Sequence, residues 1–391
     1  MPEKMWAVVK QRPELGASYI EMDVPRLRDD EILVKVKATS ICGTDVHIYN
    51  WDPWSDSRIG PGRLPQVLGH ELAGEIVEVG REVRVLKPGD YVSAETHIPD
   101  LQDLQTWVGQ MHIGEHMKIL GVDMNGCFAE YIAMPAMVAW KNDQSIPYEF
   151  ASVQEPLGNA TYAVLGEDND VGGRSMVIIG DGPIALFATG VARALGVTSI
   201  FVVGMSDFNL ELAKQMGADH VLNVFRDTDR VGYVKDHTRG FGADIVLDMA
   251  GSAAGIDDGL KMLRKGGRFS AFGIVPDRSV SIDYNASLVF KGAQIVGING
   301  RKMFDTWYRV RNLLSSGRLD ISPVITHMFL LEDFEKGFAK LLERPRMAAK
   351  VVFFLEQAEL EAARQRRGMS ADGVRLDVRL PTGEVPRVFH E

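Results

Sequence analysis

The stretch VIIGDGPIALFATGVARALG, residues 177–196, constrains the fold more than any other part of the chain. A short apolar run leads into Gly180 and Gly182, with Ala185 three positions further on. Ile184, Phe187, Ala188, Val191 and Leu195 then follow at helical spacing. The pattern is G-x-G-x-x-G/A between a strand and a helix, and each small residue has a mechanical reason. Gly180 allows a tight turn, Gly182 lets backbone N–H groups approach a pyrophosphate, and Ala185 leaves room for the helix to lie against the strand. Pro183 suits the first helical turn, where its missing N–H has no intrahelical partner. The motif alone is weak evidence. Here it sits in a run from about 172 to 298 in which SIFVVG, ADIVLDMAG and GGRFSAFG alternate with helical stretches such as DFNLELAKQMG. That alternation predicts an α/β unit with a doubly wound parallel sheet and crossover helices. Gly180, Gly182, Pro183 and Ile184, with Gly204 and Ser206 at the end of the second strand, are the expected cofactor-binding residues.

The flanking regions differ in texture. From about 5 to 150 the chain reads as strands and turns: EILVKVKA sets Ile32, Val34 and Val36 against Leu33, Lys35 and Lys37, and LKPGDYV places a turn before a strand. From about 299 the texture is mixed and ends in AAKVVFFL, followed by a helix-like EQAELEAARQRRG and a strand-like VRLDVRLPTGEVPRVF. A chain of 391 residues exceeds one comfortable core, so two domains are expected. The net charge of -10 is spread along the chain without a basic cluster, which argues against nucleic acid and anionic membrane as partners. No apolar run is long enough to span a bilayer, and the first ten residues lack a signal-peptide core, so a cytoplasmic location is expected. Cys42 and Cys127, the only cysteines, are expected as thiols.

Cys42 lies in SICGTDVHIYNW beside Thr44, Asp45 and His47; LGHELAGEIVEVG offers His70 and Glu71, and VQEPLGNA offers Glu155. Sulfur, imidazole and carboxylate together suit zinc, and a catalytic zinc keeps three protein ligands and one open position. Taken singly, Cys42 reads better as a small buried hydrophobe and His70 as a core histidine. The constellation outweighs that reading.

Cys42-Gly-Thr44-Asp45-x-His47, Gly69-His70-Glu71-x-x-Gly74-x5-Gly80, Glu155-Pro156 and the later glycine motif occur in the order of the medium-chain zinc alcohol dehydrogenases, which this chain resembles from about residue 5 to 355. Within them ICGTDVHIYNWDPW, AETHI, QEPLGNA, GINGRKMFDTWY and ISPVITH are similar to the threonine dehydrogenase branch. The resemblance implies a GroES-like, mostly-β catalytic domain from both ends of the chain (1–157 and 299–355) around a Rossmann domain (158–298). It implies one catalytic zinc on Cys42, His70 and Glu155, polarising a secondary hydroxyl whose hydride passes to NAD. Thr44 would pass the hydroxyl proton toward His47, and Glu71 would exchange in the metal shell or relay protons. His97 would line the substrate side, with Arg301 as the fork for an amino-acid carboxylate. The expected substrate is L-threonine or a similar β-hydroxy-α-amino acid, and the expected assembly a homo-oligomer, dimer or tetramer. Two other readings stay open: a dehydrogenase of a polyol, cyclitol or amino alcohol, and an inactive dinucleotide-binding scaffold.

Three features depart from the family. The four cysteines of its structural zinc lobe fall here on Asp100, Asp103, Thr106 and Gly114, so no structural zinc is expected; His97, His112 and His116 are the residues that could rebuild a metal site there. Leu101, Leu104, Trp107, Val108 and Met111 instead predict a short helix with Trp107 packed on the body or on another subunit. Gly204 replaces the acid that selects NAD, which predicts a relaxed site where NADP is also usable. Residues 356–391 extend past the family's end, with a helix closed by Gly368 and packing on a neighbouring subunit as the expectation.

Overall fold

The computed structural model of the chain describes residues 2–276 and 279–370. The strand-like part of the tail, from 374, lies outside them.

The mostly-β body is organised on one mixed sheet. Its strands run in the order Ala139–Lys141, Tyr91–Ala94, Glu71–Val79, Glu31–Ser40, Lys350–Phe354 and Ile325–Leu330, with Tyr131–Pro135 also pairing with Glu31–Ser40. The last two strands come from the far end of the chain: Val352 pairs with Ser40 and Phe354 with Ala38. Strand Glu31–Ser40 departs from simple alternation, because Leu33 and Lys37 are buried along with Ile32, Val34 and Val36. Lys37 is buried as an ion pair at the helix Gln357–Arg367: Glu356, just before it, takes Lys35 and Lys37, and Glu359 takes Lys37.

That helix forms as its sequence predicts, with Gly368 in the left-handed conformation after it (φ 59°). Its apolar face packs on its own chain. Leu360, Ala363 and Met369 enter the core, and Arg366 and Arg367 pair with buried Glu149.

The second unit is a six-stranded, wholly parallel sheet in the order His220–Asn223, Ser199–Gly204, Ser175–Ile179, Ala243–Asp248, Leu263–Ala271, Gln294–Gly297. Chain order reverses beside Ser175–Ile179, and that switch point is where a doubly wound sheet binds its ligand. The unbroken apolar run of this strand follows from burial on both faces: Met176 and Ile178 face one core, Val177 and Ile179 another. Helix Gln154–Leu165, which carries Glu155, is buried along its whole length and shares a core with helix Pro183–Ala194 of the glycine motif.

Candidate active site

Cys42 closes the strand Glu31–Ser40 and opens the helix Gly43–Asn50 as its N-cap. Asp45, at the third helical position, reaches back to accept from the Cys42 N–H (2.8 Å), and its other oxygen accepts from the Gly69 N–H (3.1 Å). The same oxygen stands 3.6 Å from His70 Nδ1. Asp45 therefore ties the cysteine loop to the histidine loop. Gly69 has φ 86°, and any side chain there would collide with the Phe128 ring, which is why a glycine precedes the histidine.

Cys42, His70 and Glu71 each offer a donor atom, all within 4.8 Å of one another, and no other trio of His, Cys, Asp or Glu among the described residues comes so close. Sulfur, nitrogen and oxygen donors fit zinc. The surrounding charges give an independent test of fit. Asp45, Glu71, Glu95 and Glu155 are buried carboxylates, and among the described residues the buried cations paired with them are Lys350 and Arg301. Burial opposes a charge on His70, yet Asp45 and Cys42 outweigh it and push the imidazole pKa well up. The pocket thus lacks positive charge, and a divalent cation on Cys42 and His70 meets that deficit.

The two glutamates differ in availability. Glu71 has both oxygens engaged, by Lys350 Nζ (2.7 Å to Oε1) and by the Ser40 hydroxyl. Burial first, and Glu155 after it, raise the Glu71 pKa against the pull of Lys350. Glu155 lies outside the trio. Its Oε1 accepts from Thr96 (2.9 Å) and Arg301, and its Oε2 accepts no hydrogen bond among the described residues.

Arg301 corrects the sequence expectation. Its Nε donates to Glu95 (2.7 Å), Nη1 to Glu155 and to Asn159 (2.9 Å), and Nη2 to Glu95 and to Thr96 (2.7 Å). The guanidinium is 1% exposed and spent on the protein, so it presents no fork to a substrate carboxylate. It holds Glu95, which also accepts from Trp307 Nε1 and the His97 N–H, and it fixes Glu155.

His97 is buried with Nδ1 lacking a partner, and burial, with Arg301 adding to it, pushes its pKa down to about 4. The ring is neutral near pH 7. Thr44 Oγ1 lies 3.9 Å from Cys42 Sγ. His47 is exposed and bonded through Nδ1 to Asp52, whose other oxygen caps the helix Pro53–Arg58 at Ser55. Lys350, Asp45 and Glu95 were missed by sequence reasoning. The lysine inside the apolar run AAKVVFFL was the available signal, since a strand buried on both faces keeps a charge only with a partner.

In the former metal lobe, Asp103 accepts from the His116 N–H (2.9 Å) and pairs with His116 Nδ1 (2.6 Å), while His112 stacks edge-on to Tyr162. The expected helix forms at Leu104–Trp107. Trp107 itself is 72% exposed, so the part of the expectation that packed it on its own body does not hold.

In the glycine motif Gly180 has φ 125°, and the space a side chain at Gly182 would enter is open. Helix Pro183–Ala194 begins at Pro183, and Ile184 packs on the core. Gly204 ends its strand, and Ser206 caps the helix Asp207–Gln215 through Oγ. Asp207, the acidic residue nearest in sequence after Gly204, is engaged by Arg226 (2.6 Å from each terminal nitrogen) and by Asn223.

Two family models match the chain: the alcohol dehydrogenase GroES-like domain over residues 28–144 and the zinc-binding dehydrogenase over 183–316. The chain belongs to the medium-chain zinc-dependent alcohol dehydrogenases, and it is an NAD(P)-dependent enzyme acting on a small molecule. It is 46% identical over 351 residues to the L-threonine 3-dehydrogenase of Caldanaerobacter subterraneus subsp. tengcongensis, covering 90% of this chain and 99% of that protein. The L-threonine 3-dehydrogenase of Pyrococcus abyssi is 46% identical over 357 residues, covering 91% and 100%. Among solved structures, an alcohol dehydrogenase from Thermotoga maritima superposes with a TM-score of 0.80 at 27% identity (90% and 99% covered). The 2R,3R-butanediol dehydrogenase from Bacillus subtilis gives 0.81 at 25% (90% and 100%).

Proposed function

We propose that this enzyme oxidises the secondary alcohol of L-threonine or a similar β-hydroxy-α-amino acid. The convergence of Cys42, His70 and a carboxylate in a buried pocket short of positive charge carries the reading. The curated relatives that share nearly half of its residues give the substrate class. When bound, zinc polarises the substrate hydroxyl and nicotinamide takes up the hydride.

The chain's own residues supply the rest. Cys42 and His70 hold one metal per chain, Glu155 completes the set through its unengaged Oε2, and Glu71, clamped by Lys350, is the exchangeable carboxylate. Thr44 accepts the hydroxyl proton beside Cys42 and hands it outward, with His47 and Asp52 as its outlet to solvent. Neutral His97 lines the substrate side, with the Nδ1 edge of its ring packed against Gly300. The catalytic unit consists of 1–157 and 299–355, with 158–298 binding the dinucleotide. Two unpaired thiols support a reducing, cytoplasmic setting, and exposed Leu101, Leu104 and Trp107 support assembly into a homo-oligomer.

A polyol, cyclitol or amino alcohol is the second reading, favoured by the engagement of Arg301, which leaves the expected carboxylate clamp unavailable. A substrate panel followed by absorbance of reduced nicotinamide separates the two. The highest kcat/KM on L-threonine supports the first; turnover of polyols or cyclitols with none of threonine replaces it with the second.

A further inference from the structure

We propose that Asp181, the variable residue inside the glycine motif, supplies the carboxylate that Gly204 lacks and makes the site select NAD over NADP. The inference rests on the dinucleotide reading of that motif, and it replaces the relaxed site that Gly204 alone predicts.

The geometry is a side-chain exchange between adjacent strands. A side chain built at Gly204 would begin 2.6 Å from Asp181 Cβ and 2.7 Å from its Oδ2. Asp181 therefore fills the volume at the end of the second strand where a side chain at 204 would stand, reaching it from the end of the first. Gly204 and Asp181 are compatible only together, since any larger residue at 204 would displace the carboxylate. Asp181 Oδ2 accepts from the N–H groups of Met205 (2.8 Å) and Ser206 (2.6 Å), which pins it to the loop following the second strand. Its Oδ1 accepts nothing among the described residues. One oxygen is anchored and the other is left for ribose hydroxyls.

The same bonds work against a 2′-phosphate. Successive N–H groups before a helix form a ready anion site, and here a resident carboxylate has already taken two of them. Its charge would repel a phosphate at the position where it accepts a hydroxyl.

One group pulls the other way. Arg346 passes beside the loop, its carbonyl accepting from the Ser206 hydroxyl (3.0 Å), and its half-buried guanidinium makes no hydrogen bond or ion pair among the described residues. With Asp181 in place, Arg346 faces a carboxylate already present. Without it, Arg346 becomes the cation for a 2′-phosphate. Asp181 is thus the element that decides.

The test is calorimetric titration of the zinc-loaded, full-length enzyme with NAD+ and NADP+ in the absence of substrate. Wild type should bind NAD+ at least tenfold more tightly. Asp181→Ser should weaken NAD+ and tighten NADP+, changing the ratio of dissociation constants at least thirtyfold, and adding Arg346→Ala should abolish the gain for NADP+. Asp181→Asn, which keeps the shape and an acceptor but not the charge, should move the ratio in the same direction and guards against a misfolded serine variant. A ratio unchanged in both variants, or wild type preferring NADP+, overturns the role of Asp181 while leaving the dinucleotide site standing. Wild type binding neither nucleotide overturns the dinucleotide reading itself, and this inference with it.

Discussion

Asp45 uses two oxygens for three tasks, since it holds the N–H that precedes Cys42 Sγ, the N–H that precedes His70, and a place beside His70 Nδ1. Groups that orient metal ligands typically contribute 10- to 100-fold in metal affinity. Asp45→Asn should therefore weaken zinc by about 10–100-fold in a chelator competition while the fold persists; an unchanged affinity would reduce Asp45 to a helix cap. Cys42→Ala should lose bound zinc and turnover with little loss of thermal stability beyond that of the zinc-free wild type, because Cys42 lies at the edge of a core it does not fill. Arg301→Ala has a different signature. Removing one member of a buried charge network leaves Glu95 and Glu155 uncompensated, at a cost of about 3–5 kcal/mol. The melting temperature should fall, and the residual activity should drop for amino-acid and simple alcohol substrates alike. A loss confined to KM for the amino acid would restore Arg301 to the carboxylate.

Two elements replace what the family builds with metal or omits. The lobe after His97 is closed by Asp103 and His116, whose hydrogen bond raises the His116 pKa and lowers that of Asp103. The histidine contribution is complete below its unfolded value of about 6.5 and fades as pH rises through the raised folded value. The carboxylate contribution is present above about 4 and fades below it. Protection factors over 101–116, each taken against the intrinsic exchange rate at that pH, should accordingly be highest between about pH 4 and 6.5 and lower at pH 8, and a lobe equally protected at pH 6 and 8 would exclude this link. The C-terminal helix is the other addition. Burying Leu360 alone is worth about 1.5–3 kcal/mol, so truncation after Leu355 should lower the melting temperature by several degrees even if the assembly is unaltered. Both helices were legible because apolar spacing and a closing glycine are local signals. The partners were not: Glu149 lies 217 residues from Arg366, Glu95 lies 206 from Arg301, and Glu71 lies 279 from Lys350. Periodicity carries no information at such separations. Asp181 escaped for a related reason, because its meaning depends on Gly204 across a strand pairing.

At the scale of the molecule, the metal pocket is where both ends of the chain meet. Strand Lys350–Phe354 brings Lys350 to Glu71, Arg301 arrives after the parallel sheet is complete, and Cys42 and His70 come from the first strands. These connections gather four buried carboxylates around two buried cations. Each carboxylate has hydrogen-bond partners, but four acids against two cations leave an excess of buried negative charge, and a divalent ion offsets part of that cost. Anything that binds the folded state alone adds stability in proportion to the logarithm of its concentration over Kd. Removing zinc from the wild type with dipicolinate should therefore lower the melting temperature by well over the 2–4 °C that 1 kcal/mol represents in a domain of 150–250 residues, and stoichiometric zinc should restore it. Glu155→Gln removes one of the four charges and, on the reading proposed above, a ligand with it, so chelation should shift its melting temperature less than it shifts the wild type. Equal shifts in the two proteins would mean that Glu155 neither holds the metal nor shares its charge balance, and would pass the third ligand position to Glu71.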